Sequence, residues 1–185
     1  MKWLRKDYTM NRIIAIDAGF TSCGWAVLEP GPVRPIALGC IRTEKSNRKG
    51  AVRVADDDIR RCQEVARVLS RTIRTHGVGG VIAELPSAGA KGARAIACMA
   101  RAGAIVAVVA ELWRLPAEWV TPNEIKLLAG SKAASKDEVE AVVRKRWPAA
   151  KLPKAKCERE HVADALAAFL AAEHGSLVRM LFGTR

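Results

Sequence analysis

Three acidic residues each stand alone inside an apolar run: Asp17 in Ile13-Ile14-Ala15-Ile16-Asp17-Ala18-Gly19, Glu84 in Val81-Ile82-Ala83-Glu84-Leu85, and Asp164 in His161-Val162-Ala163-Asp164-Ala165-Leu166. A carboxylate among apolar side chains loses hydration, and the loss must be offset by a hydrogen-bond network, a basic partner or a bound cation. Three such positions in one chain favour the cation.

The pattern around them is that of an α/β domain. Arg12 to Asp17 reads as a buried strand ended by Ala18-Gly19, Gly24 to Leu28 as its hairpin partner, and Ile36 to Arg42 as a third strand after the turn marked by Pro30, Gly31, Pro32 and Pro35. Thr43 to Gly50 is polar enough for a mobile surface loop. From Asp56 to His76 the residues Ile59, Cys62, Ala66, Leu69 and Ile73 recur at helical spacing, and His76-Gly77 closes that helix. Gly80 to Leu85 is strand-like and carries Glu84 near its end, with a loop through Pro86, Gly89 and Gly92 after it. An Ala-rich helix follows from Ala93 to Trp113, then a fifth strand at Glu118 to Thr121. Pro122 opens a brief helix to Leu128, and Ser135-Lys136-Asp137-Glu138 caps another to Trp147. A last helix covers Glu158 to Ala172, with Val162, Leu166 and Leu170 on its buried side. This order predicts a five-stranded mixed sheet flanked by helices, its first three strands antiparallel and the later two added by helical crossovers. We expect one domain over residues 10–175, an N-terminal extension over 1–9 and a C-terminal tail over 176–185.

Charge narrows the partners. With 31 Lys and Arg against 19 Asp and Glu, the net charge is +12, a field that concentrates polyanions, of which nucleic acid is the most abundant in a cell. The five cysteines are odd in number and form no Cys-x-x-Cys pair, which argues against a disulfide framework or a zinc ribbon and for a reducing, cytoplasmic setting. The longest unbroken apolar run, Ala102 to Ala110, falls short of the roughly 20 residues needed to cross a bilayer, so no membrane segment is expected. Met1 to Thr9 lacks the apolar core of a secretory signal, and Met10 is a candidate natural start.

If the strand bearing Asp17 lies beside the strand bearing Glu84, both carboxylates reach one edge of the sheet. His161 and Asp164, three residues apart on the last helix, share a face and can point at the same spot. Four ligand-competent side chains then converge. Carboxylate oxygens suit Mg²⁺ or Mn²⁺, and a pair of such ions roughly 3.5 to 4 Å apart can activate water and stabilise the leaving oxygen of a phosphodiester. Glu160 also lies one turn from Asp164, and Cys157-x-x-x-His161-x-x-Asp164 can be read as a zinc site. The strand carboxylates favour the harder ions.

These stretches resemble the RuvC-type Holliday-junction resolvases of the ribonuclease H-like superfamily. The likeness is carried by IIAIDAGFTSCGWAVLE as the first hairpin with its Asp-x-Gly signature, VIAEL as the acidic fourth strand, NEIKLLAGSKAASKDEVEAVV, and HVADALAAFLAAEH as the closing helix. The resemblance implies a ribonuclease H-like fold, with Asp17, Glu84, His161 and Asp164 as catalytic and metal-binding positions. Lys126 and Lys136 match basic positions near the scissile phosphate or the DNA backbone. Lys132, Lys91 and Arg94 are added as DNA-binding candidates from their place beside the bend before Ser135 and in the loop after Glu84. The expected activity is metal-dependent nicking of four-way DNA junctions by a homodimer, whose two sites match the junction's two-fold symmetry and whose Ala- and Gly-rich helix allows close packing. Where the family carries an aromatic or large apolar wedge after the acidic strand, this chain reads Leu85-Pro86-Ser87-Ala88. Two other readings stay open: an actin-like or sugar-kinase-like ATPase, because IDAGFTSCGWAV is similar to the phosphate loop of that group, and a DNA-binding module without catalysis.

Overall fold

The computed structural model describes residues 11–47, 52–86 and 92–183. The elements run β1 (Arg12–Asp17), β2 (Ser22–Glu29), β3 (Arg34–Arg42), α1 (Val54–His76), β4 (Val78–Glu84), α2 (Ala93–Leu112), β5 (Ala117–Val120), α3 (Pro122–Leu127), α4 (Lys136–Arg146), α5 (Lys156–Ala171) and α6 (Ser176–Phe182). The sheet order is β3-β2-β1-β4-β5, with β1–β2 and β2–β3 antiparallel and β1–β4 and β4–β5 parallel. This is the expected mixed sheet. The meander forms because its connections are short, whereas each parallel strand arrives after a helix, as parallel pairing requires.

Alternation of side chains divides the interior in two. Ile14, Ile16, Val27, Val81 and Ala83 face α1 and α2, while Ile13, Ala15, Ala26, Leu28 and Ile82 face α5. Helix α5 is buried almost all round, through Val162, Ala163, Ala165, Leu166, Ala167, Ala168, Phe169 and Leu170, and not along one stripe. It lies between the sheet and the helices α3 and α4, while α6 packs on β1 and β4 beside it. Its alanines make that possible, because small side chains let the backbones on both sides come close. Both α3 and α4 start with a capping box, Thr121 with Glu124 and Ser135 with Glu138, each worth about 1 kcal/mol. Gly77 ends α1 in the left-handed conformation, at φ 60°, where a side chain would be strained.

The structure corrects four expectations. Residues 176–182 are helix α6 and not a tail: Leu177 and Val178 are buried, and the Leu177 N–H donates to Glu118 Oε2 of β5 at 3.1 Å. The inner stripe of α1 carries Asp58, Arg61, Val65, Leu69, Thr72 and Ile73, whereas Ile59 is 56% exposed. Two of those inward residues are charged, and only Leu69 and Ile73 are shared with the expected face, so apolar periodicity pointed partly to one side of the true inner stripe. Thr43, assigned to a mobile loop, is buried and anchored by hydrogen bonds at the end of β3. Finally, α2 is long and apolar enough to cross a membrane by length and composition, although no single unbroken run is. Its inner residues Ala102, Val106, Val109 and Ala110 are part of the core facing α1.

Candidate active site

Asp17 is the last residue of β1 and Glu84 the last of β4, and the parallel register pairs them directly. Asp17 has the parity of Ile13 and Ala15, and Glu84 that of Ile82, so both lie on the α5 face at one end of the sheet. Helix α5 presents His161 and Asp164 to that same edge. The His161 Nδ1–H donates to Asp17 Oδ2 at 2.6 Å, and potential ligand atoms of Asp17, His161 and Asp164 all lie within 4.8 Å of one another. Lys136, at the start of α4, donates from Nζ to Asp164 Oδ2 at 2.9 Å.

The acids are half-buried and mutually repelling. Burial pushes the Glu84 carboxyl up to about 8, with the charges of Asp17 and Asp164 adding to the rise against Lys136 and Lys126. Burial raises Asp164 as well, with Asp17 adding to it, and Lys136 offsets only part of this. His161 is raised by its bond to Asp17, against desolvation. Desolvation would lower Lys136, but Asp164 beside it holds the ammonium above its usual range. This is a cluster short of positive charge. Hard oxygen donors, one imidazole and a few ångströms between them fit a Mg²⁺ or Mn²⁺ site. Glu84 stands outside the tight trio and reaches the cluster through its place beside Asp17.

The basic positions divide. Lys126 is half-buried on α3 and Lys132 is exposed in the bend before α4, on the side of the molecule that carries Lys136. Lys136, expected near the scissile phosphate or the DNA backbone, stands at the edge of the acidic cluster with its ammonium on Asp164. Arg94 is a correction: it grips Asp58 of α1, with Nη2 at 2.6 Å from Oδ1, and so ties α2 to α1. Lys91 lies outside the described residues. Glu160 pairs with Lys156 at 3.7 Å, away from the trio, and Cys157 is exposed and absent from that cluster, which leaves the zinc reading without its sulfur ligand.

Sequence reading passed over Gly24. It pairs with Asp17 across the hairpin, and a Cβ there would lie 2.0 Å from the His161 carbonyl oxygen and 2.9 Å from the Val162 nitrogen. Only a glycine lets the α5 backbone settle onto β2 at the point where His161 meets Asp17. A glycine inside a strand is the available signal for such an approach.

Fold and site together define a ribonuclease H-like protein with an acidic, cation-fitting sheet edge. A family model described as "Crossover junction endodeoxyribonuclease RuvC" matches residues 13–174. The crossover junction endodeoxyribonuclease of Rhodococcus jostii (strain RHA1) is 31% identical over 167 residues, covering 84% of this chain and 77% of the relative, and that of Rhodococcus opacus (strain B4) is 30% identical over the same shares. The chain belongs to the RuvC family of crossover junction endodeoxyribonucleases. Its fold matches that of Thermus thermophilus RuvC, solved in complex with a Holliday junction substrate, with a TM-score of 0.70 at 24% identity over 91% of this chain and 95% of that one. Family membership decides against the ATPase and the non-catalytic readings.

Proposed function

We propose that the chain resolves four-way DNA junctions by paired nicks, as a homodimer, with Asp17, Glu84, His161 and Asp164 holding two divalent cations, Mg²⁺ or Mn²⁺. The observation that carries this is the convergence of Asp17, His161 and Asp164, with Glu84 paired beside Asp17 and Lys136 bonded to Asp164. Bound cations supply Lewis acidity to the phosphodiester and lower the pKa of an attacking water. Asp17, in register with Glu84 and bonded to His161, would hold cations from the middle of the set. Glu84 and Asp164 are drawn to their ionised forms when positive charge arrives. His161 fixes the Asp17 carboxylate through Nδ1 and, as a neutral imidazole, would help to hold a cation. Lys136 supplies positive charge next to Asp164 and is positioned to steady phosphate oxygens. Lys126, Lys132 and, by sequence alone, Lys91 extend that charge toward the DNA backbone.

The dimer reading is supported on the opposite face. An apolar groove between α1 and α2 is lined by Cys62, Ala66, Ile105, Val108, Leu112 and Trp113, and Leu112 is 75% exposed. Only 28% of the most apolar stretch of α2 is buried, and a second copy of the chain would cover the rest. A cytoplasmic setting suits the DNA substrate and the five free cysteines.

The test uses labelled four-way junction, fork and linear duplex with Mg²⁺ or EDTA. Symmetric nicks confined to the junction and abolished by EDTA are expected. Asp17→Asn should lower the rate by at least about three orders of magnitude, a loss of roughly 4 kcal/mol of transition-state stabilisation, while junction binding persists. Undiminished cleavage by that variant would refute the assignment.

A further inference from the structure

Arg61 is the most deeply buried basic side chain among the described residues, 3% exposed on the inner stripe of α1. It makes no ion pair there, although the charges of Asp57 and Asp58 on the preceding turn feel its field. Its hydrogen bonds go to the strand ends instead. Nε–H donates to Thr43 Oγ1 at 2.9 Å, and Nη2–H donates to Thr21 Oγ1 at 3.1 Å and to the Thr43 carbonyl at 3.5 Å. The guanidinium lies 4.3 Å from the centroid of the Phe20 ring.

Among the described residues, its hydrogen-bond and ring partners belong to, or hold, the turn between Asp17 and Ser22. The Thr43 hydroxyl donates to the Phe20 carbonyl at 2.8 Å, and the Thr43 N–H donates to the Thr21 carbonyl at 2.9 Å. Gly19 N–H then closes the turn back on the Asp17 carbonyl at 3.0 Å. A buried charge without a direct counter-ion is a poor stabiliser, and well-packed apolar replacements of buried charges are often neutral. What a planar guanidinium adds is a rigid fork with fixed donor directions and a flat face to stack.

We propose that Arg61 is a positioning residue for the candidate active site: it locks the Ala18–Thr21 turn against the end of β3 and thereby fixes the backbone from which the Asp17 carboxylate projects. It touches neither cation nor substrate. The proposal builds on the reading of Asp17 as a cation ligand. Groups behind metal ligands characteristically affect metal affinity or activity by about 10 to 100-fold. Arg61→Lys keeps the charge and removes the fork, and Thr43→Val removes the partner hydroxyl at nearly constant volume.

The experiment titrates Mn²⁺ into the DNA-free, full-length protein and reads affinity by calorimetry, with Asp17→Asn alongside, and then measures junction cleavage against ion concentration. Arg61→Lys and Thr43→Val should bind Mn²⁺ about 10-fold more weakly or worse, keep the wild-type junction affinity, and recover cleavage as the ion concentration rises. Folded variants with wild-type Mn²⁺ affinity, beside an Asp17→Asn protein that has lost it, would overturn the role of Arg61 alone. Wild-type affinity in Asp17→Asn would overturn the cation reading and the proposal with it. Loss of folding in both variants at 10 °C would assign Arg61 to stability and equally overturn it.

Discussion

Two groups of buried acids lie in this molecule, and they have opposite electrostatics. On α1, Asp58 is as buried as any carboxylate in the active-site cluster, yet the Arg94 bond holds its pKa below the ordinary range, with Arg101 assisting at 3.3 Å. Asp57 beside it would be raised by desolvation, but Arg60 and the Ser46 N–H overcome that and lower it. At the sheet edge, Glu84 and Asp164 are pushed upward, and Lys136 is the one ion-pairing lysine there among the described residues. Burial of an acid therefore does not by itself mark a site. The balance of counter-charge differs: α1 carries arginines against its acids, whereas among the described residues the sheet edge sets one ion-pairing lysine and one histidine against three acids.

Removing one acid from each region should accordingly act in opposite directions. Asp58→Asn leaves two arginines without their carboxylate, and with both partly exposed we expect a loss of about 1 to 3 kcal/mol in chemical denaturation. Glu84→Gln removes a repelled charge and should stabilise the ion-free protein by roughly 1 to 2 kcal/mol at pH 8.5, while abolishing cleavage. Equal destabilisation by both would erase the distinction between the regions.

The pH dependence sharpens it. Because the folded-state value for Glu84 is raised from 4.5 to about 8, the folded protein holds that proton more tightly than the unfolded chain. Its contribution to stability is complete below about pH 4.5 and is lost as pH rises through about 8. Melting temperatures of the ion-free protein should fall over that window, less so in Glu84→Gln. Saturating Mg²⁺ should flatten the wild-type curve, since bound cations favour the ionised form.

Much of this was legible in the sequence because it depends on local pattern. Unbroken apolar runs marked β1 and β4 as buried strands, and the isolated acids marked the edge where those strands end. The three-residue spacing of His161 and Asp164 is a property of any helix. What was hidden depends on tertiary contact. Nothing local distinguishes Arg94, which pairs with Asp58 36 residues away, from a lysine facing DNA. Arg61 was hidden by its neighbours: Ile59 and Cys62 make an apolar stripe that the fold turns partly outward. Helix α6 is short, and its place is set by burial against β1 and β4 and by Glu118 at its first turn, none of which is written in residues 176–182 themselves.

A smaller effect separates the two regions for DNA. Lys132→Ala should weaken junction binding a few-fold and reduce the salt dependence of log Kd by about one ion, because an exposed lysine contributes a single phosphate contact. Arg94→Ala should leave that slope unchanged and register instead as lost stability, given its commitment to Asp58.

The proposed cation site at the sheet edge is tested most directly by an anomalous difference map from crystals soaked in Mn²⁺. The account predicts peaks enclosed by Asp17, Glu84, His161 and Asp164, with Lys136 moved from Asp164. An ordered edge with no peak at saturating Mn²⁺, or peaks only elsewhere on the molecule, would contradict it.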